Sequence, residues 1–167
     1  MREGLQDELD ELCLGIQEEG RQAAHAVAEA TRALVDWSAE AFEATLAAEV
    51  ETKRLYLLTE QRVETILARQ APVASDLRLV LAVLHINRSV ERAAHNAARV
   101  AHLATPPPRR ALVEEAVITD ALRAMGERGA EMIRTSLDAF ERRDANATRL
   151  LTTLDELVDR ENQKIAD

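Results

Sequence analysis

The sequence predicts an all-α protein, organised as tandem antiparallel three-helix bundles of which the second is incomplete. Three observations carry this. Hydrophobic residues make up 47% of the chain but aromatics only 2%, so the apolar surface is mostly Ala, Leu and Val, which suits close-packed helices better than a sheet. Apolar residues recur at three- and four-residue intervals over stretches far longer than a strand. Proline is confined to Pro72 and the run Pro106, Pro107 and Pro108, leaving long segments free of helix breakers.

The first helix runs from about Leu5 to Val35, where Leu5, Leu9, Leu12, Ile16, Ala23, Val27, Ala30 and Leu34 form one apolar stripe. A second opens at Ser38, a good N-cap, and carries Phe42, Leu46, Leu55, Tyr56, Val63, Ile66 and Leu67 to the segment Arg69 to Arg78. Trp37, beside that cap, is placed to seal the first hairpin. Pro72 disfavours α geometry at Ala71 and closes the second helix, while Ser75 or Asp76 can accept from the free amides that open the third. The third helix spans Ala74 to Ala104. Its two stripes, Leu79, Val83, Ile86, Val90 and Ala97 beside Leu77, Val80, Leu81 and Leu84, predict neighbours on two sides. A fourth helix runs from about Leu112 to Arg143, and a fifth starts at Asp144 and carries Leu150, Leu151, Leu154, Leu157 and Val158.

The run Thr105 to Arg110 favours an extended polyproline conformation and divides the chain. The predicted organisation is a first three-helix bundle over 1–104, a linker over 105–110 and a second, truncated unit over 111–167. A shift of 106 positions places the second unit on the first without a gap: Ile16 on Leu122, Gly20 on Gly126, Ala24 on Ala130, Val27 on Ile133, Ser38 on Asp144 and Glu49 on Asp155. On that repeat the partner of the third helix would fall beyond Asp167. The open half then implies truncation within the repeat, with a homodimer as its consequence.

A formal charge of −9 without a basic, aromatic-lined stripe argues against nucleic acid. Cys13 stands alone and forms no intrachain disulfide, and the first residues lack the apolar core of a signal peptide, so the expected location is cytoplasmic. No apolar run reaches the length of a membrane span, and direct membrane insertion is not expected.

Two constellations have the spacing of metal ligands. Glu91 and His95 stand at i and i+4 with His102 on the same side, a donor pair suited to iron, zinc or manganese once other helices add ligands. Asp155 and Asp159 repeat the spacing on the fifth helix, near Glu156 and Glu161. The plainer reading of both is a solvated helix face, with Arg88 and Arg92 flanking the first. His25 and His85 read as partly exposed helix positions. No serine, cysteine or lysine has a nucleophile's setting and no glycine loop cradles a phosphate, so no enzyme is expected.

The turn Gln70-x-Pro72-Val73-Ala74-x-Asp76-Leu77-Arg78, its distance to Glu91-Arg92, the Ala-rich first helix and Asp138-Ala139-Phe140 before Asp144 together resemble the PhoU family. That resemblance implies spectrin-like helices in two tandem three-helix bundles. It also implies an acidic D-x-x-x-D on the second helix of each repeat and E-x-x-x-D on the third, around which some members hold metal ions. Asp155 to Asp159 keeps the former; the first repeat instead reads Glu49 to Lys53, and its E-x-x-x-D reads Glu91 to His95. An ammonium at Lys53 repels a cation, and histidine suits iron or zinc better than magnesium. By resemblance the chain is a cytoplasmic adaptor between the ATPase subunit of a phosphate transporter and a sensor histidine kinase, negatively regulating the phosphate-starvation response. The alternative is a carboxylate-rich bundle that stores or oxidises iron. Ferritin-like folds, however, use Glu-x-x-His on two helices, whereas here the spacing is four and occurs once.

Overall fold

A computed structural model describes residues 2–104 and 115–166, and every regular element among them is a helix. These are α1 (Arg2–Asp36), α2 (Ala39–Gln70), α3 (Ala74–Ala101), α4 (Glu115–Arg142) and α5 (Ala147–Ala166). The expected linker at 105–110 and the first residues expected of the fourth helix lie outside the described residues.

Helix ends account for most departures from the sequence reading. Ser38 caps α2 as expected: its Oγ accepts from the Ala41 amide at 3.1 Å, and its carbonyl accepts from Phe42 at 3.0 Å. Ser38→Ala is expected to cost about 1 kcal/mol in urea denaturation; an unchanged midpoint would remove the cap from the account. The equivalent Asp144 does not cap α5. Its Oδ1 accepts from the Asn146 amide at 2.9 Å in a local turn, and the helix opens three residues later at Ala147. The third helix stops at Ala101 because Leu103 and Ala104 donate to Val100 and Ala101, three residues back, and the last turn tightens.

The α2–α3 turn differs in the same way. Ala71 leaves the helix in the left-handed region (φ 43°, ψ 58°), and Val73 stands extended at the N-cap with no side-chain bond to the amides that follow. Ser75 and Asp76 therefore do not supply the expected cap; the Ser75 hydroxyl donates to Asp76 Oδ1 at 3.3 Å instead. Pro72 still ends α2, and it is buried.

Helix α1 is the axis of the molecule: α2 and α3 pack on it to make an antiparallel three-helix bundle, and α4 packs on it from another side, carrying α5. The bundle core has two parts. Leu9, Leu12, Ile16, Val63, Ile66, Val80 and Val83 fill the end near the α2–α3 turn. Alanines, among them Ala23, Ala26, Ala30, Ala48, Ala94 and Ala97, fill the other end around Val90. Small residues let the helices approach closely there.

The α1–α4 contact preserves the 106-residue repeat. Gly20 of α1 faces Leu137 of α4, and Gly126 of α4 faces Thr31 of α1, each residue of one pair standing 106 positions from its counterpart in the other. The left-handed residues that end α1 and α4, Trp37 (φ 54°) and Arg143 (φ 53°), are spaced identically. The two halves thus meet through a pseudo-two-fold interface.

Candidate functional site

The family-signature turn lies at one end of the molecule. Gln70 reaches back to α1, its amide donating to Glu8 Oε1 at 3.4 Å. Asp76 and Arg78, with Gln6 and Ser75, form one wall of a cleft of about 710 Å³. The other wall is the α4–α5 corner, with Phe140, Arg143 and Asp144. Sequence spacing could not anticipate that the turn faces the second half of the chain, because the α1–α4 crossing creates that juxtaposition.

Glu91 and His95 both meet side chains of α2. Lys53 Nζ lies 3.2 Å from Glu91 Oε1, and His95 Nδ1 lies 3.5 Å from Glu49 Oε1. The register of α2 against α3 brings the four together as two opposed pairs. Lys53 also sits 5.1 Å from the centre of the Tyr56 ring, a further hold on the ammonium. His102 turns to Phe42, edge to face at 5.2 Å. Glu91 is thus already charge-compensated where a metal ion would have to stand.

On α5, Asp155 and Asp159 are exposed, and neither has an ion-pair partner among the described residues. The organised carboxylate of that helix is Glu161, which accepts from Arg128 of α4 at 3.2 Å and from Lys164 at 2.8 Å. Hydrogen bonds from Lys164 and Arg128 hold its carboxyl below the usual range. No group of three His, Cys, Asp or Glu side chains among the described residues converges to hold a metal ion.

Two residues at the heart of the first bundle escaped the sequence reading. Glu19 is fully buried at 0% exposure, and neither carboxyl oxygen has a hydrogen-bond partner among the described residues. Burial, and then the nearby charge of Glu91, push its pKa up to about 8. Asn87, 1% exposed, donates through Nδ2 to the Tyr56 carbonyl at 3.3 Å, and its Oδ1 has no donor among the described residues. The signal was present as a gap: Glu19 falls on the apolar stripe between Ile16 and Ala23, and Asn87 between Val83 and Val90. The single thiol, Cys13, is raised by its own burial and by Asp10 and does not gain thiolate character.

Beside the bundle, α1, α3 and α4 enclose an apolar groove of two adjoining hollows, about 410 and about 360 Å³, that share Ala93 and Ile133. No described helix is long and apolar enough to cross a membrane.

A three-helix bundle carrying a second helical hairpin across a pseudo-two-fold contact, with its charged clusters paired between helices, defines a tandem-repeat helical-bundle protein. The PhoU domain model matches residues 5–104, and the chain belongs to the PhoU family. It is similar to proteins named phosphate-specific transport system accessory protein PhoU homolog in three bacteria. Identity is 32% over 115 residues in Synechocystis sp., covering 66% of this chain and 48% of the relative. In Pseudomonas aeruginosa it is 35% over 99 residues, 58% of this chain and 39% of the relative. In a Burkholderia sp. it is 26% over 141 residues, 84% of this chain and 60% of the relative. The chain spans about half the length of these relatives.

Proposed function

We propose that this protein is a regulator of phosphate uptake that acts by contact, joining a phosphate transporter's ATPase subunit to a sensor histidine kinase and restraining the phosphate-starvation response. The observation that carries the reading is the family match over the first bundle, which includes the turn residues Gln70, Pro72, Asp76 and Arg78. Rigid helices of 28 to 35 residues in that bundle supply the broad surface that docking needs. A cytoplasmic location and assembly as a homodimer belong to the same proposal. Deleting the gene is expected to switch on starvation-induced transporter expression in phosphate-replete cells. Expression that stays repressed would sink the regulatory reading.

A second reading, a metal-carrying bundle at Glu91 and His95 or at Asp155 and Asp159, is favoured by one observation: Glu49, Glu91 and His95 come from two helices to one patch. Lys53 opposes it. Elemental analysis of the purified chain is expected to find no stoichiometric iron, zinc or manganese, and Lys53→Asp to create such binding by replacing the ammonium with a fourth donor. Metal present in the wild type and lost in Glu91→Ala would instead make Glu91 a ligand.

A further inference from the structure

The apolar groove beside the first bundle occupies the third-helix position of the second repeat. Along it, Leu122, Met125 and Gly129 of α4 and Val158 of α5 stand 106 positions from Ile16, Glu19 and Ala23 of α1 and Thr52 of α2. Those four positions of the first bundle are each 0% exposed. Helix α3 helps to close them: Ile16 shares its cluster with Val80 and Val83, and Ala23 shares the other with Val90 and Ala94. The four counterparts are only half-buried, because no helix among the described residues lies over them as α3 lies over the first set. An open apolar seat between helices gains by taking up another helix.

The rims select that helix. In the first bundle, Glu49 and Lys53 flank Thr52 on α2 and pair with His95 and Glu91 of α3. In the second repeat their places beside Val158 are held by Asp155 and Asp159, both exposed and without an ion-pair partner among the described residues. A carboxylate in the place of Glu91 would meet like charge on this edge, whereas a Lys or Arg at each of two positions four residues apart meets both aspartates. The opposite rim is basic. Arg92 and Arg99 are exposed on α3, each three residues on from a groove-lining residue, Ser89 and Asn96. A second copy has no spare helix to place there, since each of the five described helices already packs on another of its own chain.

We propose that the groove docks one amphipathic helix of a partner protein, with its apolar stripe on α4, a Lys or Arg pair spaced i, i+4 along the α5 edge and acidic residues along the α3 edge. The helix runs antiparallel to α5, as α3 runs antiparallel to α2. Burial of the apolar floor supplies the affinity, and the two oppositely charged rims fix direction and register.

The test uses the full chain and a synthetic peptide with the sequence of residues 74–101, in which Glu91→Lys and His95→Lys supply the basic pair and Arg92→Glu and Arg99→Glu the acidic edge. Binding is read by fluorescence anisotropy in the presence of EDTA. This peptide is expected to bind about tenfold more tightly than one that keeps Glu91 and His95. In a chain carrying Asp155→Lys and Asp159→Lys the preference should reverse, and because both aspartates are exposed that variant keeps its fold. Arg92→Glu with Arg99→Glu in the chain should also weaken binding, which separates a groove with two charged rims from a plain acidic patch. Equal affinity for the two peptides, no binding of either, or a preference that survives the aspartate reversal would overturn the proposal. So would a dimer in light scattering that the peptide dissociates, since a second copy then fills the seat.

Discussion

Gly126→Leu is expected to release the α4–α5 hairpin from α1 while leaving the three-helix bundle folded. A Cβ built on Gly126 lies 2.7 Å from both Thr31 Cβ and Thr31 Cγ2. Thr31 cannot turn away, because its Cβ is fixed to the α1 backbone and its hydroxyl donates to the Val27 carbonyl at 2.9 Å. The helices themselves must separate. Leucine favours a helix over glycine by close to 1 kcal/mol, so the substitution helps α4 as a helix while costing the interface about 3 kcal/mol or more in overpacking. The two effects differ in place as well as sign. Hydrogen exchange should show lost protection along α4 and α5 with α2 and α3 unchanged. Gly20→Leu should do less, since the atoms that a Cβ meets there are the methyl groups and Cγ of Leu137, which can rotate aside. Gly4, with nothing within 4 Å, is the control: Gly4→Ala should be neutral or slightly stabilising. Equal protection of α4 in Gly126→Leu and wild type would mean that the close approach is not what joins the halves.

The second large effect is a fall in stability with rising pH. Glu19 has a folded pKa of about 8 against 4.5 in the unfolded chain. Between those values the folded chain keeps the proton and the unfolded chain has lost it, so the unfolded state binds fewer protons and stability declines as pH rises. Below about 4.5 both states are protonated and the group costs nothing; above about 8 both are ionised and the loss is complete. From pH 5 to pH 8 the decline is on the order of 3 kcal/mol, a large share of a small domain's stability. Glu19→Gln should remove the slope and lie above the wild type at neutral pH. Glu18, Asp36, Glu51 and Glu161 work the other way, each held low by hydrogen bonds to its partners. Their contribution is present above their unfolded values and disappears as pH falls further, so the two windows do not overlap. Urea midpoints for wild type and Glu19→Gln at both ends of the range measure the difference. Parallel pH profiles would place the charge of Glu19 in contact with water.

The five helices were legible because their cause is local: stripes at helical spacing, a serine before α2, a proline after it. The ends were less so. Asp144 has the right chemistry for a cap, yet its side chain closes a turn with Asn146; Ser75 and Asp76 likewise bond to each other. Spacing placed Glu91 and His95 on one face of α3. It could not give the register of α2, which sets Lys53 opposite Glu91 and Glu49 opposite His95.

By itself the sequence determined an all-helical chain, the position of its hairpin turn, its family signature and the 106-residue repeat, because periodicity and turn chemistry act between near neighbours. The tertiary structure alone decided that glycines 106 positions apart pin the two halves together, that the turn faces the α4–α5 corner, and that Glu19 is buried without a hydrogen-bond partner among the described residues. Each depends on which helix faces which and at what height, and that is settled only when the whole apolar surface is buried at once.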